Sequence, residues 1–335
     1  MTTHTPQETI PSGESHYIED LLERLKTKII ADNAGGIMRR DAHAKMHGVV
    51  KAEFIIEPNL PEELQIGLFK EPKTYPAWIR FSNQSGSLSP DIERDIRGMA
   101  IKLMGVSGEK ILEQEKDEQT HDFIVISTSA FVTKDVEEFD GLIKALTGNL
   151  LVKACFFLTH WRVVWNLLKS LKKFANPLQI RYFSTTPYLF GTSAVKYSAI
   201  PHIVTADTIP DNPSDDYLRL AMVNQLREGE ALFDFAVQLQ TDVDAMPIED
   251  PGHEWQESMS PFRKVATIRI LQQEFDSEKQ KEFGENLSFT PWHALPEHRP
   301  LGGINRARKV VYQAISVFRH EYNHADRKEP ISWEV

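Results

Sequence analysis

N-R-A-R-K-V-V-Y-Q-A-I-S-V-F-R-H-E-Y-N, residues 305–323, carries Arg308, Tyr312 and Arg319 at intervals of four and then seven residues. An α-helix turns about 100° per residue, so the three side chains project within about 40° of one another. Arg308 lies one turn before Tyr312, close enough to donate hydrogen bonds to its phenol oxygen. A cation there favours the phenolate, the form of tyrosine that ligates ferric iron. Arg319 can reach an anionic group at the rim of the same ligand. An ordinary amphipathic helix, with one core tyrosine and two solvated arginines, would show the same spacing. The motif therefore needs company elsewhere in the chain.

The rest of the chain narrows the class. With 335 residues it can bury a large core. Apolar residues at 41% and charged residues at 26% describe an ordinary globular composition. A formal charge of −10 argues against a nucleic-acid partner, which needs a basic face. The single cysteine, Cys155, rules out an internal disulfide and suits a reducing cytosol. The polar start M-T-T-H-T-P-Q lacks a secretory signal's basic and apolar regions, so a cytoplasmic location is expected. Leu150 to Phe174, rich in Leu, Phe and Trp, carries five basic residues and is no membrane span. It reads either as an interfacial amphipathic segment in peripheral contact with lipid or as a buried helical hairpin; the second is expected, because amphipathic helices usually face their own core.

Residues 1–14 read as a disordered tail. From Ser15 a helix is predicted, with Ile18, Leu21, Leu25 and Ile29 at helical spacing and Gly35 and Gly36 beyond its end. Segments 48–58, 77–82, 98–105 and 122–127 read as strands, then 135–146 as helix. After a loop rich in Thr, Pro and Gly, segments 193–202, 232–242 and 264–273 resume the two-residue period. Many short strands, with helices gathered in insertions and at both ends, predict an α+β fold built on a closed antiparallel β-barrel. Without an internal repeat or a long linker, residues 15–335 read as one domain.

Three further clusters join the helix. R-R-D-A-H-A-K places Arg40 three residues before His43, R-F-S puts Arg80 and Ser82 on one face of a strand, and R-D-I-R-G-M-A-I-K carries Gly98 at a close backbone approach. Taken singly they are a core histidine, an exposed arginine and a turn glycine. In this order they resemble the haem-dependent catalase superfamily, and look most like its short, single-domain catalase-related peroxidases. The matching stretches run from about Arg40 to Phe139 and from about Trp292 to Asn323. The resemblance implies haem b, with Tyr312 as the iron ligand and Arg308 supporting its phenolate. It implies His43 as the distal acid–base group, oriented by Ser82. Arg40, Arg80 and Arg319 would pair with the haem propionates, as guanidinium forks suit carboxylates, and Phe139 would stack on the porphyrin. The implied activity is peroxide breakdown, for which a neutral imidazole can accept and return a proton.

The sequence also departs from that pattern. The family's distal asparagine falls at Ser127 or Ile126, Ala42 replaces a bulkier residue before His43, and Met46 and His47 replace small ones after it. A missing distal donor can cost a factor of about 100 or more. Three readings remain: a peroxidase or weak catalase acting on hydrogen peroxide, a fatty-acid hydroperoxide-converting enzyme of the allene oxide synthase type, and a non-catalytic haem-binding protein. No long threading arm is visible, which favours a monomer or dimer over an arm-threaded tetramer. H-E-Y-N-H at 320–324 matches a zinc-helix motif but leaves only Glu329 and Glu334 as later carboxylates. His43 and His47, four apart, enter a strand, where helical spacing loses its meaning.

Overall fold

A computed structural model describes residues 6–204 and 207–334. Of the tail expected over 1–14, residues 1–5 lie outside the described residues. Further along it, Glu8 meets the guanidinium groups of Arg299 and Arg306 at 2.7 and 2.8 Å. Helix α1 (Glu14–Asp32) is followed by four strands, β1 (Met46–Ile56), β2 (Thr74–Asn83), β3 (Arg97–Met104) and β4 (Thr120–Ile126). Then come α2 (Val136–Thr147), α3 (Leu150–Thr159) and α4 (Trp161–Ser170). Strands β5 (Tyr182–Phe183), β6 (Tyr188–Phe190) and β7 (Ser193–Pro201) lead to α5 (Tyr217–Glu228), β8 (Ala231–Leu239) and β9 (Arg263–Ile270). Helices α6 (Glu278–Asn286) and α7 (Gly303–Asn323) complete the order.

Neighbouring strands pair antiparallel in the order β5-β4-β3-β2-β1-β9-β8-β7, and a β5–β7 pairing closes the ring into an eight-stranded barrel. Strand β6 adds to the edge of β7. Closure rests on two residues: Phe183 pairs with Ile126 of β4 and Ser198 of β7, and Tyr182 with Ala199. So short a strand shows no periodicity, which is why the sequence reads as loop there. Helices α5 and α6 were also not expected. Helix α6 is mostly charged, and Ser277 caps it by accepting from the Gln280 amide.

Alternation along the strands decides what lies inside. Ile79, Phe81, Met99, Ile101, Phe123 and Val125 point into the barrel, where aromatic rings fill the space; Phe123 and Phe235 centroids are 4.8 Å apart. The interior is a packed core. The alternate residues Arg80, Ser82, Gly98, Ala100, Ile124 and Ile126 face outward. Helices α1, α2 and α7 cover that outer face, packing on one another through Leu21, Leu25, Val311 and Ile315.

The α3–α4 pair corrects the buried hairpin expected over Leu150 to Phe174. Leu150, Leu151, Leu158, Trp161, Trp165 and Leu168 are exposed, while only Val163 and Ser170 are buried. The helices are apolar on two faces and the fold covers only one.

Candidate active site

Between the barrel's outer face and α7 lies a cavity of ≈ 1440 Å³, its open mouth included. The residues that the resemblance assigned to haem and to acid–base chemistry all line it, with Gly98: Arg40, His43, Arg80, Ser82, Phe139, Arg308, Tyr312 and Arg319.

On the helical wall Ile304, Ala307, Val311 and Ile315 pack toward α1 and α2 and line the cavity beside Arg308, Tyr312 and Arg319. The Arg308 guanidinium carbon is 5.1 Å from the centre of the Tyr312 ring. Its Nη1 donates to Asn305 Oδ1 at 3.1 Å and to Thr186 Oγ1 at 3.4 Å. Burial works against its charge, but the phenol oxygens of Tyr312 and Tyr188 outweigh this and its pKa is raised. Arg308 is thus a permanent cation beside Tyr312. Tyr188, whose buried hydroxyl has no hydrogen-bond partner among the described residues, was not expected from sequence, since it lies in the stretch read as loop.

On the barrel wall His43 has a left-handed backbone, φ 61, fixed by its amide donating to the Gln84 carbonyl at 2.9 Å. Few non-glycine residues adopt that region, and they do so where the surroundings enforce it. The imidazole Nδ1 is 3.0 Å from Ser82 Oγ. Ser82 pairs with Gly98 across β2 and β3, and a Cβ on Gly98 would fall 2.5 Å from the imidazole. Glycine at 98 therefore makes room for the ring itself, as the sequence reading implied. Burial, with further pressure from Arg80, Arg308 and Arg40, lowers the His43 pKa to about 3. The ring is therefore neutral near pH 7.

Arg40, Arg80 and Arg319 converge with Arg39 on one carboxylate, Glu285 at the end of α6. Arg40 lies 3.2 Å from it, Arg319 3.6 Å, and Arg80 and Arg39 3.9 Å. Arg40 also donates to the Leu287 carbonyl, and Arg319 to the Glu285 carbonyl at 2.6 Å. Burial alone would raise the Glu285 pKa, but the four arginines hold it below its ordinary value. Burial and then mutual repulsion push Arg80 well down and Arg319 to about 9. Arg80 Nε and Nη2 are buried without a hydrogen-bond partner among the described residues. The cluster is short of anionic oxygen, the group its donors would take. Glu285 was missed because it reads as one carboxylate in an acidic helix; nothing local marks it.

Phe139, on α2, packs edge-on against Phe131 with centroids 5.4 Å apart, beside the cavity. At the position of the missing asparagine, strand parity decides between the two candidates. Ile126 lines the cavity, whereas Ser127 points away and its hydroxyl accepts from the Arg97 amide at 2.9 Å. Ser127 thus supplies no donor to the cavity. Other polar groups line it, among them Asp41, whose carboxyl pKa is pushed up by burial, and Gln84, whose Oε1 has no hydrogen-bond partner among the described residues. His47 leaves the site, its Nε2 lying 2.7 Å from Asn83 Oδ1 in a buried network with Asp91. Both ring nitrogens of His320 lie near carbonyls, at 2.7 Å from Ser316 and 2.8 Å from Asn286. No group of three His, Cys, Asp or Glu side chains among the described residues is placed to hold a metal. The zinc motif has no structural support.

No family model matches this chain, and no curated protein does. Solved structures do. A fungal catalase superposes with a TM-score of 0.62 at 18% identity, covering 90% of this chain and 61% of its own. A bacterial catalase gives 0.64 at 20%, covering 95% and 62%. Catalase A from Saccharomyces cerevisiae gives 0.65 at 18%, covering 97% and 67%. The fold is that of the catalases. This chain spans less than two thirds of the length of the first two.

Proposed function

We propose that the chain binds haem b through Tyr312 and breaks down peroxides, with His43 as the acid–base group. The observation that carries this is one cavity with a tyrosine–arginine pair on its helical wall, a neutral imidazole on its barrel wall, and three buried arginines facing a single carboxylate, two nitrogens of Arg80 having no hydrogen-bond partner among the described residues. When bound, haem supplies the iron at which a peroxide O–O bond is cleaved.

Arg308 favours the phenolate of Tyr312, and Arg40, Arg80 and Arg319, which face Glu285, would also hold the propionates. Phe139 would pack against the porphyrin. His43 accepts a proton from the incoming peroxide and returns it to the departing oxygen. Ser82 fixes the imidazole by its contact with Nδ1. Ile126 leaves the pocket more apolar than an asparagine would, and with Phe131 and Leu25 in the lining this favours an organic hydroperoxide as the better substrate.

The test is an absorbance titration of haem-loaded protein with hydrogen peroxide and with a fatty-acid hydroperoxide. Gas release marks catalase action, dye oxidation peroxidase action, and loss of the conjugated-diene band hydroperoxide conversion. His43→Ala should keep the Soret band and lose turnover by about 100-fold or more. Protein that takes up no haem, or a variant with unchanged turnover, overturns the reading.

A further inference from the structure

We propose that the outer face of the α3–α4 hairpin docks on an anionic lipid surface. On α3 the exposed positions Leu151, Ala154, Cys155 and Leu158 follow i, i+3, i+4, i+7, one stripe of a helix. On α4 Trp161, Trp165 and Leu168 do the same. The exposure is large: 73% for Leu151, 84% for Leu158 and 75% for Trp161. Water gains nothing from an apolar stripe held out to it, so such a stripe calls for an occupant.

The inner face does not need that stripe. Val163 is fully buried, Phe156 seats against Gly141 (whose added Cβ would lie 3.0 Å away), and Leu167 and Leu171 pack on the buried cluster of Ile96, Val132, Leu142 and Val163. The hairpin is held on the molecule by one face while the other stays open.

Charge selects the occupant. The chain as a whole carries −10, yet no carboxylate side chain occurs between Asp140 and Asp207. Lys153, Lys169, Lys172 and Lys173 stand in or just beyond the hairpin, and none makes an ion pair among the described residues. Lys169 Nζ sits 5.2 Å from the Trp165 ring centre, the pairing of cation and amphipathic ring suited to a headgroup layer. A second copy docked here would set these lysines against their own kind, whereas an anionic bilayer matches both the apolar stripe and the charge. No helix among the described residues is long and apolar enough to cross a membrane, so the hairpin would lie in the interface. The inner face of the hairpin packs on the same buried cluster as Phe131, Phe139 and Ile126, which also line the cavity, so docking would bring the cavity close to the lipid. The inference stands whether or not haem binds.

Co-sedimentation of the full chain with phosphatidylcholine vesicles, with and without phosphatidylserine, tests it. Binding is expected only with phosphatidylserine, with a blue shift of tryptophan emission and release at high salt. Lys172→Gln with Lys173→Gln should weaken partition by roughly 30-fold, at about 1 kcal/mol per lysine. Leu158→Asp should abolish it while circular dichroism stays native; Leu151→Ser with Leu158→Ser is the milder check should that variant misfold. No binding to either vesicle, or binding that ignores both sets of substitutions, overturns the proposal. A concentration-dependent dimer lost in Leu158→Asp would assign the face to a second copy and overturn it equally.

Discussion

The two walls of the cavity are built by opposite means. The α7 wall takes Arg308, Tyr312 and Arg319 from a single helix, where a fixed turn per residue does the positioning. The barrel wall assembles His43 from a loop, Ser82 from β2 and the space above Gly98 from β3, and it holds His43 at φ 61. The first tolerates neighbours of many kinds, since only spacing matters. The second depends on strand register, on one absent methyl group and on a backbone conformation that few residues adopt. A constellation on one element is robust; one spread over three is fragile.

The sharpest break in the comparison is Tyr312→Phe. It deletes the phenol oxygen proposed as the iron ligand, so haem affinity should fall by more than the roughly 100-fold that loss of a supporting contact can cost. Titration of the Soret band measures it, and an unchanged spectrum would remove this wall from the ligand set. Next is Gly98→Ala. Its methyl group would meet the imidazole at 2.5 Å, so His43 must shift; turnover should drop about 100-fold with haem occupancy retained. The added strain should cost about 1–3 kcal/mol, read from denaturant midpoints. Equal activity would show that the barrel wall is more tolerant than its geometry implies.

Acid should act through the barrel side. His43 and His298 are lowered to about 3 and His47 to about 4, and His121 lies well below 6.5, all chiefly through burial. Below pH 6.5 the unfolded chain binds protons that the folded chain refuses. Stability is therefore level above pH 6.5 and falls as the pH drops toward 3, by up to about 1.4 kcal/mol per pH unit for each such histidine. Thermal midpoints of haem-free protein measure this. His43→Gln should flatten the slope by one histidine's share, and parallel curves for the two proteins would show that His43 is not held neutral. The smallest effect belongs to Ser127→Ala. Its hydroxyl serves the Arg97 amide and not the cavity, so stability should fall by about 1 kcal/mol while turnover stays within twofold. A large loss of turnover would return Ser127 to the site.

Strands β1 to β4 and β7 to β9 were legible because each alternates or runs apolar for six residues or more, and α7 because its spacing repeats over five turns. Strand β5 was not: two residues carry no period, yet they join β4 to β7 and turn an open sheet into a barrel. The hairpin misled because apolar content signals burial without saying which face is covered. Glu285, Asp41 and Gln84 were invisible for another reason. Each is an unremarkable polar residue until the fold brings Glu285 to four arginines far along the chain and Asp41 and Gln84 to the cavity.

From sequence alone came the barrel class, the stripe of Arg308, Tyr312 and Arg319, and the pairing of Arg80 with Ser82 on one strand face, because local periodicity dictates direction wherever one element holds all the residues. Only the tertiary structure decided that Ile126 and not Ser127 faces the cavity, that four arginines share one carboxylate, and that the α3–α4 stripe is left open. These depend on register and packing between segments distant in the chain, which no local pattern encodes.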